Sequence, residues 1–376
     1  MPPKIAFITN FCPHYVIRPF ELLSKRHDVD FYFTGGGERY WDKKNKMWQG
    51  QFKGHYLNGF FLLPKFRITP GVFCLLWRRY DIILKTIDDR FALPLVFLIA
   101  KIRRKPFIFW TGHWSHPETS FHKISLFFTW FIYTHSDAIV VYGEHIRRYL
   151  MDFGVDHKKI FTAAHAIDNG LFNQYVSDEK KQCTRDELKL RGEKIILYVG
   201  RLEDAKGLNY LIEAAGKIKD KNFVMVFIGT GSKRDDFEKA MKEKGMKALF
   251  LGHIANTELF PYYAAADVFV LPSITTKDFK EPWGLVVNEA MNQGCPVITT
   301  NAVGAAAGGL VEDGKTGFIV DEKSAESLKK ALEIILQDDS LRVRMRQAAN
   351  EKIKAWTQER MVEGFMEAID FVLVKH

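Results

Sequence analysis

Short apolar runs alternate with stretches of helical periodicity along most of the chain. In the first half, the runs that predict strands are Lys4–Thr9, Val29–Thr34, Ile82–Leu84, Phe107–Trp110 and Ala138–Val141. The second half repeats the pattern with Lys194–Val199, Phe223–Gly229, Leu249–Leu251, Val268–Leu271 and Val297–Thr300. Strands that alternate with helices are typical of α/β folds with parallel sheets. The sequence therefore predicts two doubly wound domains, with ligands at the carboxyl ends of strands that face each other across a cleft.

Helical periodicity predicts helices over Gly207–Ile218 and Lys233–Lys244, and over most of the chain beyond Ile319. Near the amino terminus, Pro19 predicts the start of the first helix, because proline is favoured at the first helical position. Between the two halves, Gln174–Glu193 is polar and dense in charge, and this composition predicts a linker.

These patterns divide the chain into an N-terminal domain over residues 1–175 and a C-terminal domain over residues 185–359. A final helix over about 360–376 is expected to pack back onto the N-terminal domain. The chain has 376 residues, of which 47% are hydrophobic and 26% charged. This length and composition suit two globular domains.

Two apolar runs raise the question of a membrane span. Phe91–Ala100 and Ile124–Tyr133 reach about half of the roughly 20 residues that a spanning helix needs, so both are predicted to be buried helix segments. The start of the chain lacks the apolar region of a signal peptide. The four cysteines are far apart and form no CxxC pair, which predicts free thiols rather than a zinc site. We therefore expect a cytoplasmic protein.

The charge is unevenly distributed. Residues 1–180 hold 25 Lys and Arg against 16 Asp and Glu, whereas residues 181–376 hold 29 of each kind. No nucleic-acid-binding motif accompanies this excess, so nucleic acid is not an expected partner. An anionic membrane surface, an anionic acceptor or the needs of solubility each explain it. The stretch Glu38–Tyr56 interleaves basic residues with aromatic ones such as Trp41 and Trp48, which favours either an interfacial loop or a surface loop packed by its own aromatic rings.

A candidate anion-binding loop follows the predicted strand Lys194–Val199. Gly200 allows a tight turn and close approach of a ligand, and Arg201 and Lys206 bracket the loop. Two such cations can neutralise a diphosphate. The alternative is an ordinary exposed loop with surface charges.

A second segment, Lys280–Met291, carries two glutamates separated by seven residues. Gly284 lies near the start of a predicted helix, whose N-terminus is suited to a phosphate or a sugar hydroxyl. Glu281 precedes that terminus and can accept hydrogen bonds from sugar hydroxyls. Glu289 lies further along the helix, where its carboxylate can accept hydrogen bonds from two ribose hydroxyls.

These two segments resemble those of glycosyltransferase family 4, which has the GT-B fold. The segments Asp267–Ser273, Gly294–Thr300 and Asp313–Gly317 also match the family pattern, and the resemblance covers Lys194–Val320 strongly. It implies transfer of a sugar from a nucleotide-diphosphate donor to an acceptor, with retention of anomeric configuration and no metal in the chemistry. It also implies that the C-terminal domain binds the donor and the N-terminal domain the acceptor.

Carried over residue by residue, the family pattern places Arg201 and Lys206 on the donor diphosphate and Glu289 on the ribose. The transferred sugar and phosphates are expected near Glu281, Trp283, Gly284 and Leu285. The remaining donor contacts, near the base or at the turn of the anion-binding loop, are Gly200, Gly229, Gly252, His253 and Ile254. The residues expected to act in catalysis are His113, Glu281, Arg201 and Lys206. UDP is the first nucleotide expected, and GDP is the alternative.

His113 is assigned because family members carry a histidine after the corresponding strand, and His116 is the competing candidate. Acceptor contacts are assigned to Asn10, His14 and Tyr15, where larger residues replace the Gly-Gly pair of many family members. Asp28-Val29-Asp30 spells a DxD motif, but it precedes an apolar strand instead of following one, so no metal role is assigned.

The expected function is assembly of a surface polysaccharide, lipopolysaccharide or glycolipid, with a saccharide or lipid-linked acceptor. The expected location is the cytoplasm, with peripheral association at the inner face of the membrane. The alternatives are a GT-B-fold nucleotide-sugar epimerase and a catalytically silent binding subunit. An NAD dehydrogenase is disfavoured, because Gly229-Thr230-Gly231 lacks the rest of the dinucleotide fingerprint.

Overall fold

The computed structural model describes residues 3–35, 50–63, 66–89, 91–116 and 120–375. The predicted interfacial positions Trp41 and Trp48 lie outside the described residues. The chain divides into two compact units, one formed by Met1–His165 with Gln358–His376 and the other by Ala166–Thr357. Within the described residues, no helix combines the length and the apolar character needed to span a bilayer.

The secondary structure alternates between strands and helices in both units. The strands are β1 (Lys4–Thr9), β2 (Asp28–Phe33), β3 (Lys53–Tyr56), β4 (Phe60–Leu63), β5 (Phe66–Ile68), β6 (Ile82–Thr86), β7 (Phe107–Thr111), β8 (Ala138–Val141), β9 (Ile160–Thr162), β10 (Lys194–Val199), β11 (Phe223–Ile228), β12 (Ala248–Gly252), β13 (Val268–Leu271), β14 (Val297–Thr300) and β15 (Gly317–Val320). The α-helices are α1 (His14–Ser24), α2 (Ala92–Ile102), α3 (Ser120–His135), α4 (Glu144–Asp152), α5 (Asn169–Phe172), α6 (Asp178–Glu187), α7 (Leu208–Lys217), α8 (Arg234–Glu243), α9 (Phe260–Ala265), α10 (Leu285–Asn292), α11 (Gly304–Ala307), α12 (Ala325–Gln337), α13 (Asp339–Ile353) and α14 (Gln358–Lys375). Short 3-10 helices lie at Pro70–Leu76, His157–Lys159, Asp204–Lys206 and Asn256–Glu258.

The first unit is built on a parallel sheet with the strand order β3-β2-β1-β6-β7-β8-β9 among the described residues. Strands β1, β7 and β8 in the middle of the sheet are largely apolar on both faces, because helices cover both sides of a parallel sheet. One apolar cluster lies between the sheet and α2, α3 and α4, and the other lies between the sheet and α1 and α14. The last helix, α14, therefore completes the core of the first unit.

The first helix begins at His14 and not at Pro19, so the prediction for this helix start is wrong. Pro19 lies inside α1 and has no N–H to donate to the carbonyl of Tyr15, four residues earlier. The side chain of Gln358 donates its Nε2 hydrogen bond to that carbonyl at 2.9 Å. A residue from the other end of the chain thus provides the donor that the proline lacks.

Replacing Gln358 with alanine is expected to lower the free energy of unfolding by about 1–3 kcal/mol, because the part-buried carbonyl of Tyr15 loses its hydrogen bond. Urea denaturation of the purified protein measures this loss. In a Pro19→Ala background the helix regains its own donor, so the Gln358→Ala substitution should then cost much less. Equal losses in the two backgrounds would contradict the pairing.

The second unit contains a parallel sheet with the order β12-β11-β10-β13-β14-β15 in the part of the chain that the structure describes. Strand β10 pairs with β11 on one side and with β13 on the other, so the strand order reverses at β10. In doubly wound sheets, ligands bind at the carboxyl ends of the strands beside such a reversal. The loops that follow β10 and β13 are therefore the expected location of a ligand site.

The predicted linker Gln174–Glu193 is wrong, since half of it folds as α6 and all of it belongs to the second unit. The hydroxyl of Ser177 accepts a hydrogen bond from the backbone N–H of Lys180 at 3.2 Å and caps the helix. Arg185 donates to the carboxylate of Asp267 at 2.8 Å and so ties α6 to the start of β13. In this segment a serine caps the helix and an arginine forms an ion pair, and composition alone did not distinguish these roles from a flexible segment.

The two apolar runs of the first unit differ in burial. The run Phe91–Ala100 forms α2 and is largely buried, as predicted, although Leu98 is exposed. The run Ile124–Tyr133 lies in α3, and the prediction that it is buried is wrong for one side of the helix. Phe127 and Phe128 are 63% and 62% exposed, whereas Ile132 and Tyr133 are buried. A run that is apolar on every side does not indicate which side faces the core.

Candidate active site

The loop after β10 positions the first candidate cation. The buried hydroxyl of Tyr198 donates to the backbone carbonyl of Arg201 at 2.6 Å and fixes the turn that Gly200 begins. The guanidinium of Arg201 pairs with Glu203 at 3.0 Å, and its side chain is 45% exposed. Arg201 therefore projects from a fixed backbone while its charge remains accessible to an incoming anion.

Lys206 lies deeper in the same loop than the sequence indicates. Gly207 has φ of 67°, a left-handed conformation that favours glycine, and an added Cβ would lie 2.0 Å from the carbonyl oxygen of Pro272. This close approach brings the loop against the segment that follows β13. Lys206 is only 9% exposed as a result, so the alternative of an ordinary exposed loop is wrong for this residue.

The ammonium group of Lys206 contacts Glu281, the first of the two predicted glutamates. Nζ of Lys206 donates to Oε2 of Glu281 in a buried ion pair. The hydroxyl of Ser273 donates to the same oxygen at 3.1 Å, and the ring of Phe279 lies 5.3 Å from Nζ. Residues 75 positions apart in the sequence thus form one polar cluster beside the strand reversal.

Gly284 has φ of 91° and marks the start of α10. The segment before it is held by backbone hydrogen bonds from Gly304 to Glu281 at 3.1 Å and from Ala305 to Trp283 at 2.7 Å. The indole N–H of Trp283 donates to Asn288 at 2.9 Å. The backbone N–H groups at the start of α10, including that of Leu285, come directly after this segment, which fixes their position.

Glu289 lies in α10 and is 5% exposed. The hydroxyl of Tyr263 on α9 donates to its Oε2 at 2.7 Å. Burial raises the pKa of Glu289 to about 7, and the hydrogen bond from Tyr263 opposes this rise. A buried carboxylate of this kind gains from any further donor, such as a pair of ribose hydroxyls.

The loops after β11 and β12 adjoin the loop after β10. The N–H of Gly200 donates to Ile228 at 2.9 Å, and the N–H of Gly229 donates to Gly252 at 2.7 Å. An added Cβ on Gly229 would lie 2.0 Å from the carbonyl oxygen of Gly200. His253 is exposed, and Ile254 is half-buried. The residues predicted to lie near the base thus follow one another along the carboxyl edge of the sheet.

The candidates of the first unit lie at the carboxyl ends of β1 and β7. His113 is exposed and follows β7, and its backbone N–H donates to Thr111 at 3.2 Å. The backbone N–H of Asn10 donates to Asp88 at 3.0 Å. His14 and Tyr15 begin α1, and burial lowers the pKa of His14 and raises that of Tyr15 to about 12.

The DxD motif lies within β2, which starts at Asp28, and does not precede the strand. Asp28 pairs with Lys53 at 2.7 Å, and Asp30 accepts a hydrogen bond from Tyr80 at 2.6 Å. Both carboxylates therefore have structural partners. The described residues contain no group of three or more His, Cys, Asp or Glu side chains placed to hold a metal ion.

Sequence reasoning missed three partners of the candidate residues. Tyr263 and Ser273 hold the two glutamates, and Asp88 holds the backbone of Asn10. Asp88 is itself paired with Lys85, a fully buried lysine, at 2.6 Å. A lysine inside an apolar strand was a usable signal, because lysine is rarely buried without a partner. No comparable signal marks Tyr263.

Two family models match the chain, one in each half. The model described as glycosyl transferases group 1 matches residues 180–352, and the model described as Glycosyltransferase Family 4 matches residues 20–170. The chain belongs to glycosyltransferase family 4. The matched ranges include the Lys206–Glu281 cluster, Glu289 and the loop that carries His113.

Similar curated proteins are also glycosyltransferases. An uncharacterized glycosyltransferase of Methanocaldococcus jannaschii is 34% identical over 50% of this chain and 47% of its own. The lipopolysaccharide core biosynthesis glycosyltransferase LpsE of Rhizobium meliloti is 30% identical over 46% of this chain and 49% of its own. The sulfoquinovosyl transferase SQD2 of Arabidopsis thaliana is 32% identical over 52% of this chain and 38% of its own. The chain spans about half the length of these relatives, or less.

Solved structures show that the glycosyltransferase has the GT-B fold. The Anabaena protein HepE, solved in complex with UDP, superposes with a TM-score of 0.78 at 17% identity and covers 98% of this chain and 99% of its own. The sucrose-phosphate synthase of Thermosynechococcus elongatus gives a TM-score of 0.76 at 20% identity and covers both chains fully. The prediction of family and fold class is confirmed.

Proposed function

We propose that this glycosyltransferase transfers a sugar from a nucleoside-diphosphate donor to a saccharide or lipid-linked acceptor, with retention of anomeric configuration. The observation that carries the proposal is the cluster of Lys206, Glu281 and Ser273 beside the strand reversal, with the partly exposed Arg201 in the same loop as Lys206. When the diphosphate departs from the anomeric carbon of the sugar, positive charge beside it stabilises the negative charge that develops on its oxygens. Arg201 and Lys206 supply that charge, and no metal ion is needed in this scheme.

The ion pair is proposed to open when the donor binds. The ammonium group of Lys206 then pairs with the diphosphate. The carboxylate of Glu281 accepts hydrogen bonds from hydroxyls of the transferred sugar in place of the ammonium group. The N–H groups at the start of α10 donate hydrogen bonds to phosphate oxygens, since helix N-termini favour anions. Glu289 accepts hydrogen bonds from the ribose, and the loops after β11 and β12 border the base.

In the transfer step, the bond from the anomeric carbon to the phosphate oxygen breaks, and a bond to the acceptor oxygen forms on the same face. The acceptor hydroxyl gives its proton to an oxygen of the departing phosphate. This route needs no protein carboxylate as a nucleophile, unlike a retaining glycosidase. His113 is proposed to contact the sugar, and Asn10, His14 and Tyr15 to contact the acceptor.

The nucleotide and the setting are proposed from similar proteins. HepE has been solved with UDP, with UDP and glucose, and with UDP-glucose, which supports UDP as the first nucleotide to test and GDP as the second. The names of LpsE and SQD2 support a role in lipopolysaccharide, surface polysaccharide or glycolipid assembly. We propose that the protein works in the cytoplasm, at the inner face of the membrane.

Thermal unfolding in the presence of UDP, GDP, ADP and dTDP is expected to single out one nucleotide. A ligand at one hundred times its dissociation constant stabilises the folded protein by about 2.7 kcal/mol, which raises the melting temperature measurably. UDP is expected to give the largest shift. The Arg201→Ala variant serves as the control, because its shift should shrink if the diphosphate lies at this loop.

Absence of a shift with all four nucleotides would contradict donor binding. With the corresponding nucleotide sugar, proton NMR of the fresh product distinguishes retention from inversion at the anomeric carbon. The same spectrum separates transfer from epimerisation of the donor, and a binding subunit would give neither product.

A further inference from the structure

The exposed side of α3 carries aromatic rings that contact one another. The ring centroids of Phe127 and Phe128 lie 5.8 Å apart, and those of Phe127 and Trp130 lie 6.0 Å apart. Phe127 and Phe128 are more than half exposed. The indole N–H of Trp130 donates to the carbonyl of Phe153 at 3.1 Å, which fixes this side of the helix. Folding of the first unit therefore leaves a rigid aromatic surface in water.

Two neighbouring elements extend this surface. Helix α2 contacts α3 through the rings of Phe97 and Phe131, whose centroids lie 6.0 Å apart. Directly after α2, the guanidinium of Arg103 donates to the carbonyl of Leu75, in the 3-10 helix at Pro70–Leu76, at 2.7 Å. The two elements present further exposed apolar side chains, and Trp77 is 76% exposed. We name the combined surface the aromatic face, which consists of Phe73, Trp77, Leu98, Ile102, Phe127 and Phe128.

The elements that carry the aromatic face are also strongly basic. Arg78 and Arg79 follow Trp77, and Lys101, Arg103, Arg104 and Lys105 lie at or directly after the end of α2. Arg79, two residues after Trp77, and Arg104, two residues after Ile102, are both exposed. Protein interfaces are enriched in aromatic rings and arginine but depleted in lysine, whereas membrane interfaces combine aromatic rings with both lysine and arginine, as at Lys101 and Lys105 here. The combination of charge and aromatic rings matches an anionic lipid surface.

We propose that the aromatic face docks on an anionic lipid bilayer, with the rings at the depth of the headgroups and the arginines beside lipid phosphates. Contiguous apolar surface of this kind is uncommon on proteins that act alone in water. The inference goes beyond the proposed transfer reaction and does not depend on the donor. It assigns membrane contact to α2, α3 and the 3-10 helix at Pro70–Leu76.

Sedimentation with vesicles tests the proposal directly. The protein should sediment with vesicles of phosphatidylcholine mixed with phosphatidylglycerol and much less with phosphatidylcholine alone. Each basic residue near such a surface strengthens binding about fivefold, the equivalent of about 1 kcal/mol. Binding should fall as the salt concentration rises from about 0.01 M, where the Debye length is about 30 Å, to about 1 M, where it is about 3 Å.

Two variants separate the rings from the charges. Phe127→Ser with Phe128→Ser removes exposed rings without touching the bond from Trp130 and should weaken binding at least about tenfold at every salt concentration. Arg79→Gln with Arg104→Asn should weaken binding about 25-fold at low salt and little at high salt. Asparagine is chosen at Arg104 because φ there is 52°, a conformation that it tolerates.

Matched controls come from the second unit. Ile334→Ser with Val343→Ser removes exposed apolar side chains elsewhere, and Lys219→Gln with Lys242→Gln removes exposed charges elsewhere. Both controls should bind vesicles as the wild type does. Nucleotide binding in solution, measured for every variant, separates a failure of docking from a failure of the donor site.

Absence of any preference for anionic vesicles would overturn the proposal, as would binding that survives in the phenylalanine variant. A concentration-dependent dimer that the phenylalanine variant abolishes, without vesicle binding, would assign the aromatic face to a second copy of the chain and also overturn it.

Discussion

Replacing Lys206 with alanine is expected to lower turnover by about 10²–10³, the effect of removing one group that stabilises transition-state charge. It is also expected to lower the free energy of unfolding by about 3–5 kcal/mol, because the buried carboxylate of Glu281 loses its cation. Donor turnover and urea denaturation measure the two effects. The double loss follows from the position of Lys206 inside the polar cluster.

Two comparisons separate catalysis from stability. Arg201→Ala should lower turnover on a similar scale with little loss of stability, since its side chain is 45% exposed. Lys206→Met combined with Glu281→Gln removes both buried charges, so stability should recover while turnover stays low. Near-normal turnover in both Lys206→Ala and Arg201→Ala would contradict the assignment of the diphosphate to this loop.

The strands were predictable because buried parallel strands are continuous apolar runs. Ala138–Val141 and Val268–Leu271 match the structure at both ends. Strand β6 was predicted too short, since it continues through Lys85 and Thr86. Lysine is rarely accepted in a buried strand, and here it depends on Asp88, three residues further on.

The errors arose where a distant residue changes the meaning of a local pattern. Pro19 is tolerated inside α1, where Gln358 donates to the carbonyl of Tyr15 that the proline leaves without its helical donor. Arg185 turns a charged segment into a packed helix through Asp267. Neither partner lies within the window that a sequence pattern covers.

The candidate site divides in the same way. The cations and the two glutamates were predictable, because their spacing resembles a known family and their loops follow strong strands. The pairing of Lys206 with Glu281 and the burial of both were not predictable, since they depend on the close approach of Gly207 to Pro272.

Glu289 is expected to make the stability of the glycosyltransferase depend on pH. Its folded-state pKa of about 7 lies above the ordinary value of 4.5, so the folded protein holds a proton that the unfolded chain releases between these values. The protonated carboxyl of Glu289 therefore contributes to stability at low pH, and this contribution is lost as the pH rises from about 4.5 to 7. The shift corresponds to about 3 kcal/mol. Glu289→Gln, which is neutral at every pH, should keep this stability at pH 8 when urea denaturation is compared with pH 5.

Binding of the nucleoside diphosphate should show the opposite dependence on pH, because ribose hydroxyls donate to the ionised carboxylate. Calorimetry with UDP should give tighter binding to the wild type at pH 8 than at pH 6, and the difference should shrink in Glu289→Gln to the part that ionisation of the terminal phosphate of UDP contributes. At pH 8 this variant should bind about 10- to 100-fold more weakly, the scale of hydrogen bonds to a charged group. Glu281→Gln is the control, since it should spare UDP binding and impair transfer. Equal losses of UDP affinity in the two variants would place the ribose elsewhere. Tyr263→Phe should move the pH dependence upward, since the hydrogen bond from Tyr263 holds the pKa of Glu289 down.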